Sequence, residues 1–177
     1  MSGKTRVPYN RIQQAMEDVR RDRFDYFYDR ESGEVIRISV ELMSRTLRIL
    51  YRTPPEEYEK GIEFDSDVRT NITLPDGYDD AIEQSIQVLL NDRRYIRIPE
   101  RDSDEAFDVM RGFIDTIEEG QLRELLENAL DGAGSFGRFK AVLLRNKKVR
   151  KRWHGYNAKA MMRVVDRWYI EAVLRGG

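Results

Sequence analysis

The clearest alternation of side chains along the chain lies between Phe24 and Ile38. Aromatic residues occupy every second position in the run FDYFYD, and the apolar run VIRI follows after a short polar segment. A period of two places alternate side chains on the two faces of a β-strand. The intervening residues 30–33 are turn-forming, and Gly33 suits a positive φ angle. The pattern predicts a β-hairpin in which the Asp29 carboxylate accepts hydrogen bonds from the turn.

Apolar residues spaced three and four positions apart predict helices elsewhere in the chain. Helices are expected over residues 9–21, 40–51, 79–91, from 102 to the break at Gly120, from 122 to 131, from 135 onward, and over 158–174. A short helical turn is expected at 56–62 and a short strand at 71–74. In the first helix, Ile12, Met16 and Val19 are expected to share the buried face. Candidate N-cap residues are Asn10, Ser39, Asp102, Ser135 and Asn157.

A second alternating run, RYIRI at residues 94–98, predicts a strand that pairs with the hairpin. The expected fold class is α+β: a small antiparallel sheet, formed by the hairpin plus one or two strands, is packed by helices, and the C-terminal half is mainly helical. A chain of 177 residues is expected to form a single domain. That domain, 1–177, would comprise a mixed α/β part at about 1–98 and a helical part at 99–177.

The composition is that of a folded globular chain without thiol chemistry. Hydrophobic residues make up 40% of the chain and the net charge is −1, which separates it from disordered proteins. There is no cysteine, so disulfides and thiolate metal sites are excluded. No apolar run approaches the roughly 20 residues that a membrane-spanning helix needs, and the first residues lack the apolar segment of a secretion signal. We therefore expect a cytoplasmic protein with no membrane association.

Positive charge is concentrated towards the C-terminal end. From residue 136 onward there are 12 Lys or Arg and 2 Asp or Glu, whereas the rest of the chain carries a net charge of −11. The densest part covers residues 145–152, and the aromatic residues Trp153 and Tyr156 follow it. Candidate residues for binding an anionic partner are Arg138, Lys140, Arg145, Lys147, Lys148, Arg150, Lys151, Arg152, Trp153 and His154.

Three interpretations of this basic segment are open. Cations can hold phosphates while aromatic rings stack on bases, which is how single-stranded nucleic acids are bound. Alternatively, Val149 and Trp153, four residues apart, both point into the core and the cations form a solvated face. That face could also pair with acidic helices such as residues 118–127.

The segment from Gly132 to Gly137 matches the GxGxxG pattern of dinucleotide-binding loops. Such a loop must follow a β-strand, whereas the residues before Gly132 have a helical pattern. We expect instead that Gly132 ends one helix in a left-handed conformation and that Ser135 caps the next, which buries its phenylalanines, Phe136 included. A weaker alternative is that the amides at this helix start, with Arg138 and Lys140, hold a phosphate or carboxylate.

Catalytic chemistry has little support in the sequence. His154 is the single histidine, so a multi-histidine metal site is excluded, and no serine lies in a nucleophile-elbow sequence. The many carboxylates are dispersed over predicted helix surfaces, with no pair marked out for acid–base catalysis. No catalytic, cofactor-binding or metal-binding residue is predicted, and an enzyme is the third-ranked hypothesis.

Several short motifs occur in a fixed order along residues 96–168. They are an Ile-Pro strand end, an acidic helix start with a serine, a Phe-Ile pair, a leucine-rich helix, a Gly-x-Gly-x-Phe-x-Arg-Phe-Lys segment and a Trp. The residues that carry them are Phe113, Ile114, Gly132, Gly134, Phe136, Arg138, Phe139, Lys140 and Trp153, with Phe27, Asp29, Ser32, Gly33, Glu34 and Val35 in the hairpin. With these motifs the chain resembles the bacterial uncharacterised protein family 0158, although Gly137 stands where a basic residue would be expected. The resemblance implies a bacterial, cytosolic, single-domain protein and lends no activity, substrate or cofactor.

Two hypotheses about function follow. The first is a small non-enzymatic cytosolic regulatory or adaptor protein that binds another protein. The alternative is a nucleic-acid-binding protein that uses the basic and aromatic segment 138–156. No cofactor is predicted, and the sequence sets no oligomeric state.

Overall fold

The computed structural model describes residues 6–61, 67–69, 72, 74, 76 and 79–176. In these residues the chain forms a three-stranded antiparallel sheet, seven α-helices and a terminal π-helix, and its C-terminal half is mainly helical. The predicted α+β fold class is therefore confirmed. The elements, in chain order, are α1 (Tyr9–Glu17), β1 (Phe24–Asp29), β2 (Val35–Ser39), α2 (Val40–Leu50), α3 (Asp80–Leu90), β3 (Tyr95–Arg97), α4 (Ser103–Ile114), α5 (Gln121–Ala129), α6 (Ser135–Leu144), α7 (Lys147–Trp168) and the π-helix (Tyr169–Leu174).

Contacts within the chain group it into two compact units. The first comprises Met1–Glu100 together with Trp168–Gly177, and the second comprises Arg101–Arg167. The first contains the sheet, and the second contains α4, α5, α6 and most of α7. The single domain over residues 1–177, with a division near residue 98, stays a prediction. None of the helices in the described part of the chain combines the length and the apolar character that a membrane span requires.

β1 is the central strand of the sheet and lies between β2 and β3. It pairs antiparallel with β2, where Tyr26 lies opposite Arg37, and antiparallel with β3, where Phe27 lies opposite Arg97. Gly33 in the connecting turn has a φ of 73°, a left-handed conformation that glycine adopts without strain. The predicted hairpin, its positive-φ glycine and the pairing of the third strand are confirmed.

Asp29 holds the hairpin turn together. Its carboxylate accepts hydrogen bonds from the Glu31 backbone N–H at 3.0 Å and from the Ser32 hydroxyl at 2.8 Å, as predicted. Arg94 adds a bidentate ion pair, in which its Nε donates to Asp29 Oδ1 at 2.9 Å and its Nη2 donates to Oδ2 at 2.8 Å. The hydrogen bonds from Arg94 contribute most to lowering the pKa of Asp29 to about 2. The ionised carboxylate therefore ties the hairpin to the start of β3.

Alternation along β1 directs its side chains to two covered faces. Phe27 and Ile38 belong to a buried cluster that also contains Met43 of α2 and Val88 of α3. On the opposite face, the Tyr28 ring contacts the ring of Tyr169 in the π-helix, with centroids 5.5 Å apart. Because both faces are covered, five of the six residues of β1 are buried.

The predicted caps of two helices are confirmed. The Ser39 hydroxyl accepts a hydrogen bond from the backbone N–H of Leu42 at 3.1 Å before α2. The Asp102 carboxylate accepts one from the backbone N–H of Glu105 at 2.8 Å before α4. Each side chain satisfies a donor that the first turn of a helix leaves without a partner.

The first helix starts where predicted but is capped differently and ends four residues earlier. It follows directly on Pro8, so Asn10 lies inside the helix and does not cap it. It ends early because the Asp18 carboxylate accepts a hydrogen bond from the backbone N–H of Arg20 at 3.0 Å and so favours a turn. Val19, predicted to be buried, is 84% exposed in that turn.

The last α-helix begins eleven residues before its predicted start. It follows Asn146, whose side chain accepts a hydrogen bond from the backbone N–H of Val149 at 3.1 Å. Asn157, the predicted cap, lies in the middle of α7. Asn157 and Gly155 have low helix propensity, but the burial of Trp153 on the same helix outweighs that small cost. Most of the basic segment therefore lies within a helix instead of before one.

The second unit has an aromatic centre. Phe113 of α4, Phe139 of α6 and Trp153 of α7 contact one another edge-on, with ring centroids 4.9 to 6.4 Å apart. Edge-to-face contacts stabilise such rings beyond their burial alone. Leu126 of α5 belongs to the same buried cluster. Side chains from four helices thus share one core.

Two predictions concern the connection between α2 and α3. Residues 56–61, the described part of the predicted helical turn, form bends and a turn instead of a helix. The strand predicted at 71–74 includes residues 71 and 73, which lie outside the described residues.

Candidate functional site

Part of the predicted basic segment forms an exposed face of the first part of α7. Successive residues of an α-helix are rotated by about 100°, so Val149 and Trp153 share a face, and both are buried. Lys147, Lys151 and His154 lie on the opposite side of the helix and are exposed. We define the basic face as Lys147, Lys148, Lys151 and His154.

The basic face is not neutralised within the described part of the chain. None of its residues forms a salt bridge there, and three acidic side chains of this unit pair with other cations. Arg123 contacts Glu127 at 2.8 Å and Asp115 at 3.6 Å, and Arg167 contacts Glu105 at 3.0 Å. The positive charge of the basic face is therefore available to a partner.

Arg138 is engaged with the backbone. Its Nε donates to the carbonyl of Ala129 at 3.2 Å and its Nη2 to that of Gly132 at 3.4 Å, and further bonds reach Asp131 and Ala133. The last carbonyls of a helix have no partner within it, and a cation there also complements the helix dipole. Arg138 thus stabilises the connection between α5 and α6, a role other than the one predicted for it.

Trp153 and Arg152 also contact their own unit. Trp153 is only 9% exposed, and its ring packs against Phe113 and Phe139. An indole in this position does not offer a surface on which a base could stack. Arg152 donates from Nη2 to the carbonyl of Thr116, just after α4, at 3.1 Å. Among the other predicted candidates, Arg150 is half-buried. The remaining ones are exposed to solvent, and they are Lys140, Arg145, Lys147, Lys148, Lys151 and His154.

Two large apolar side chains are exposed on α6, the helix that also carries Lys140. Phe136 is 39% exposed and Leu144 is 66% exposed. They lie four residues before and four residues after Lys140, so all three share one side of α6. We call Phe136 and Leu144 the apolar pair. The predicted burial of Phe136 is therefore wrong, and the spacing of four around Lys140 is the sequence signal that indicates this surface.

The GxGxxG segment forms a connection between two helices. It follows α5 and not a strand, and Gly132 and Gly134 have φ angles of 72° and 77°. Gly134 directly precedes α6, so Ser135 is its first helical residue and makes no capping hydrogen bond. The left-handed conformation of Gly132 is as predicted. The predicted cap at Ser135 is wrong, because Gly134 already supplies the turn that begins the helix.

The first unit contains a buried ionic network that the sequence did not reveal. Asp25 is fully buried and accepts hydrogen bonds from Arg97 Nη2 at 2.6 Å, from the Tyr58 hydroxyl at 2.8 Å and from Arg21 Nη2 at 3.3 Å. Burial raises the pKa of Tyr58, and the neighbouring Asp25 raises it further. A carboxylate with no exposed surface cannot contact a substrate. Each buried charge in the network has a partner of opposite sign, so removing one partner would leave an unpaired buried charge and destabilise the sheet.

No group of three or more His, Asp or Glu side chains within the described residues could hold a metal ion. His154 is exposed on α7.

The fold and the site define an α+β protein with an exposed basic helix face. No known family model matches the chain. No curated protein matches it, and no solved structure matches it. The resemblance to uncharacterised protein family 0158 stays a prediction from the sequence motifs.

Proposed function

We propose that this chain is a non-enzymatic regulatory or adaptor protein of the cytoplasm whose basic face binds an acidic segment of another protein. The observation that carries the proposal is the exposure of Lys147, Lys148 and Lys151 without ionic partners among the described residues. All three are exposed, and none forms a salt bridge with a described residue. Like charges on one helix repel one another, so an acidic partner relieves that repulsion on binding. The lack of cysteine suits a reducing compartment.

The apolar pair favours a protein partner. Protein interfaces combine a few apolar anchors with a surrounding polar rim. Phe136 and Leu144 supply exposed anchors on α6, and Lys140 between them supplies a cation. Leu144 ends α6 only three residues before Lys147 begins α7. A partner segment that carries both acidic and apolar side chains matches this combination.

Nucleic-acid binding is the second candidate and rests on the same cations. Lysine side chains contact phosphates irrespective of base sequence. The buried position of Trp153 removes the stacking surface that single-strand binding would use. Binding would then depend on phosphate contacts alone, and the affinity would fall steeply as salt is added.

Charge reversal on α7 tests the proposal with a matched control. One variant carries Lys147→Glu and Lys151→Glu, and the control carries Lys159→Glu and Arg163→Glu, with the same spacing on the same helix. A protein that cross-links to the wild-type chain is purified, and its affinity for each chain is measured by titration. We expect the affinity to fall about tenfold or more in the first variant only. Equal binding to all three chains contradicts the proposal.

A second variant separates the two candidate functions. Phe136→Ser with Leu144→Ser removes the apolar pair and leaves every cation in place. Binding of a protein partner should weaken in this variant, whereas binding of duplex DNA or RNA at low salt should not change. The nucleic-acid candidate replaces the first one if nucleic acid binds, the lysine variant loses that binding and the apolar variant retains it. Circular dichroism melting curves confirm beforehand that each variant is folded.

A further inference from the structure

The first unit contains an open groove between α1 and the edge strand β2, with a volume of about 590 Å³. Small-molecule sites have volumes of about 300–1,000 Å³, so the groove is large enough for a metabolite-sized ligand. Its lining is rich in charged and amide side chains. The charged and polar side chains that line the groove are Arg11, Gln14, Glu17, Asp18, Arg20, Tyr26 and Arg37.

One part of the groove is a fixed ionic network. Asp18 accepts a hydrogen bond from the Tyr26 hydroxyl and forms a salt bridge with Arg20, whose Nε lies 3.2 Å from Oδ1. The hydrogen bond from Tyr26 is the main cause that lowers the pKa of Asp18 to about 2. Asp18 is therefore ionised, and Arg20 already balances its charge. This network forms one boundary of the groove, and Arg37 also interacts with the Tyr26 hydroxyl.

Arg11 and Arg37 are the remaining cations, and because Glu17 also lines the groove, its charged side chains sum to +1. Neither arginine forms a salt bridge with a residue that the structure describes. The Arg37 guanidinium lies 4.6 Å from the centroid of the Phe24 ring, and this cation–π contact restrains its position. Arg11 lies on α1 three residues before Gln14, so these two side chains share a helix face. The helical wall thus offers a guanidinium and an amide, and the strand wall offers a second guanidinium.

We propose that this groove binds a small organic anion whose phosphate or carboxylate groups are held by Arg11 and Arg37. A guanidinium donates two parallel hydrogen bonds to such an oxyanion, a geometry that lysine cannot reproduce. The Gln14 amide can donate to and accept from the polar part of the ligand. The site lies in the first unit, whereas the basic face lies in the second. The two proposals can therefore be tested independently of each other.

Calorimetric titration of the full chain with inorganic pyrophosphate and, separately, with citrate tests the proposal. Arg11→Gln and Arg37→Gln each remove one guanidinium, and Arg45→Gln on α2, outside the groove, is the matched control. We expect saturable binding of at least one probe, with the affinity reduced about tenfold or more in each groove variant and unchanged in the control. Arg11 is exposed on α1, so its variant keeps the test valid if the loss of Arg37 disturbs the packing on Phe24.

The two probes separate the sources of the oxyanion. Binding of pyrophosphate alone supports a phosphorylated ligand, binding of citrate alone supports a carboxylate ligand, and binding of both supports the shared oxyanion chemistry. The absence of saturable binding to either probe overturns the proposal. An equal loss of affinity in the Arg45→Gln chain also overturns it, because general charge attraction would then explain the binding. A chain with Lys147→Glu and Lys151→Glu should bind the probe like the wild type, which keeps this result independent of the basic face.

Discussion

The indole ring of Trp153 packs edge-on against the ring of Phe139, with centroids 4.9 Å apart and ring planes inclined by 74°. Phe113 contacts the same indole from α4 at a centroid distance of 5.3 Å. These contacts set the rotation of α7 about its own axis, because the face that carries Trp153 must point into a close-packed core. The lysines on the opposite side are exposed as a consequence. A core contact thus determines which side chains a partner of the second unit would meet.

Replacing Trp153 by alanine should lower the free energy of unfolding by about 3–5 kcal/mol, because the lost ring leaves a cavity in the aromatic cluster. Its neighbour His154 is exposed, so His154→Ala should change that free energy by less than about 0.5 kcal/mol. Urea denaturation followed by circular dichroism measures both values. Small effects of equal size would contradict the buried position of the indole.

Much of the fold follows from signals between residues that are neighbours in the chain. The alternation over residues 24–38 predicts the hairpin, and Ser39 and Asp102 predict helix starts, because each cap depends only on the next three residues. The start of α7 could not be predicted in this way. Asn146 and Asn157 are the same residue type, and burial of the side chains between them selects the earlier one.

The sequence predicts where the basic segment lies in the chain, but not which of its cations are free to bind a partner. The density of positive charge identifies residues 145–152, but whether a cation is free depends on contacts between distant parts of the chain. Arg138 and Arg152 donate to carbonyls at or beyond the ends of α5 and α4, and their spacing in the sequence does not indicate these bonds. Arg11 and Arg37 line one groove only because the hairpin packs beside α1.

Gly132 and Gly137 provide a matched test of the glycine-rich connection. An added Cβ would meet no atom within 4 Å at either position. The two sites therefore offer the same space for a side chain and differ only in backbone conformation. Gly132 has a φ of 72°, whereas Gly137 lies within α6. Gly132→Ala should therefore destabilise the protein by about 1 kcal/mol, and Gly137→Ala should stabilise it by about 0.5–1 kcal/mol. Thermal unfolding should give shifts of opposite sign, and a rise in both melting temperatures would refute the role given to Gly132.

Arg138→Lys should destabilise the protein although the charge is kept. Lysine has a single nitrogen and cannot reach the several carbonyls that the guanidinium fork contacts at the end of α5. We expect a loss on the order of 1 kcal/mol in the free energy of unfolding. Arg145→Lys, at an exposed position after α6, is the control and should be close to neutral. If Arg138→Lys is as stable as the wild type and instead weakens partner binding, Arg138 belongs to the binding surface after all.

Asp29 makes the stability of the protein depend on pH in the acid range. Its pKa is lowered from 3.8 to about 2, mainly by Arg94, so its contribution is complete above about pH 5 and is lost as the pH falls from about 4 to about 2. A pKa difference of this size corresponds to about 2 kcal/mol. The wild type should therefore exceed Asp29→Asn by about 2 kcal/mol or more in the free energy of unfolding near neutral pH, and this gap should narrow on acidification. Urea denaturation at about pH 6, 4 and 3 measures the gap, with the exposed Asp22 changed to asparagine as the control. A gap that stays constant over this range would show that the Arg94 ion pair does not stabilise the ionised form.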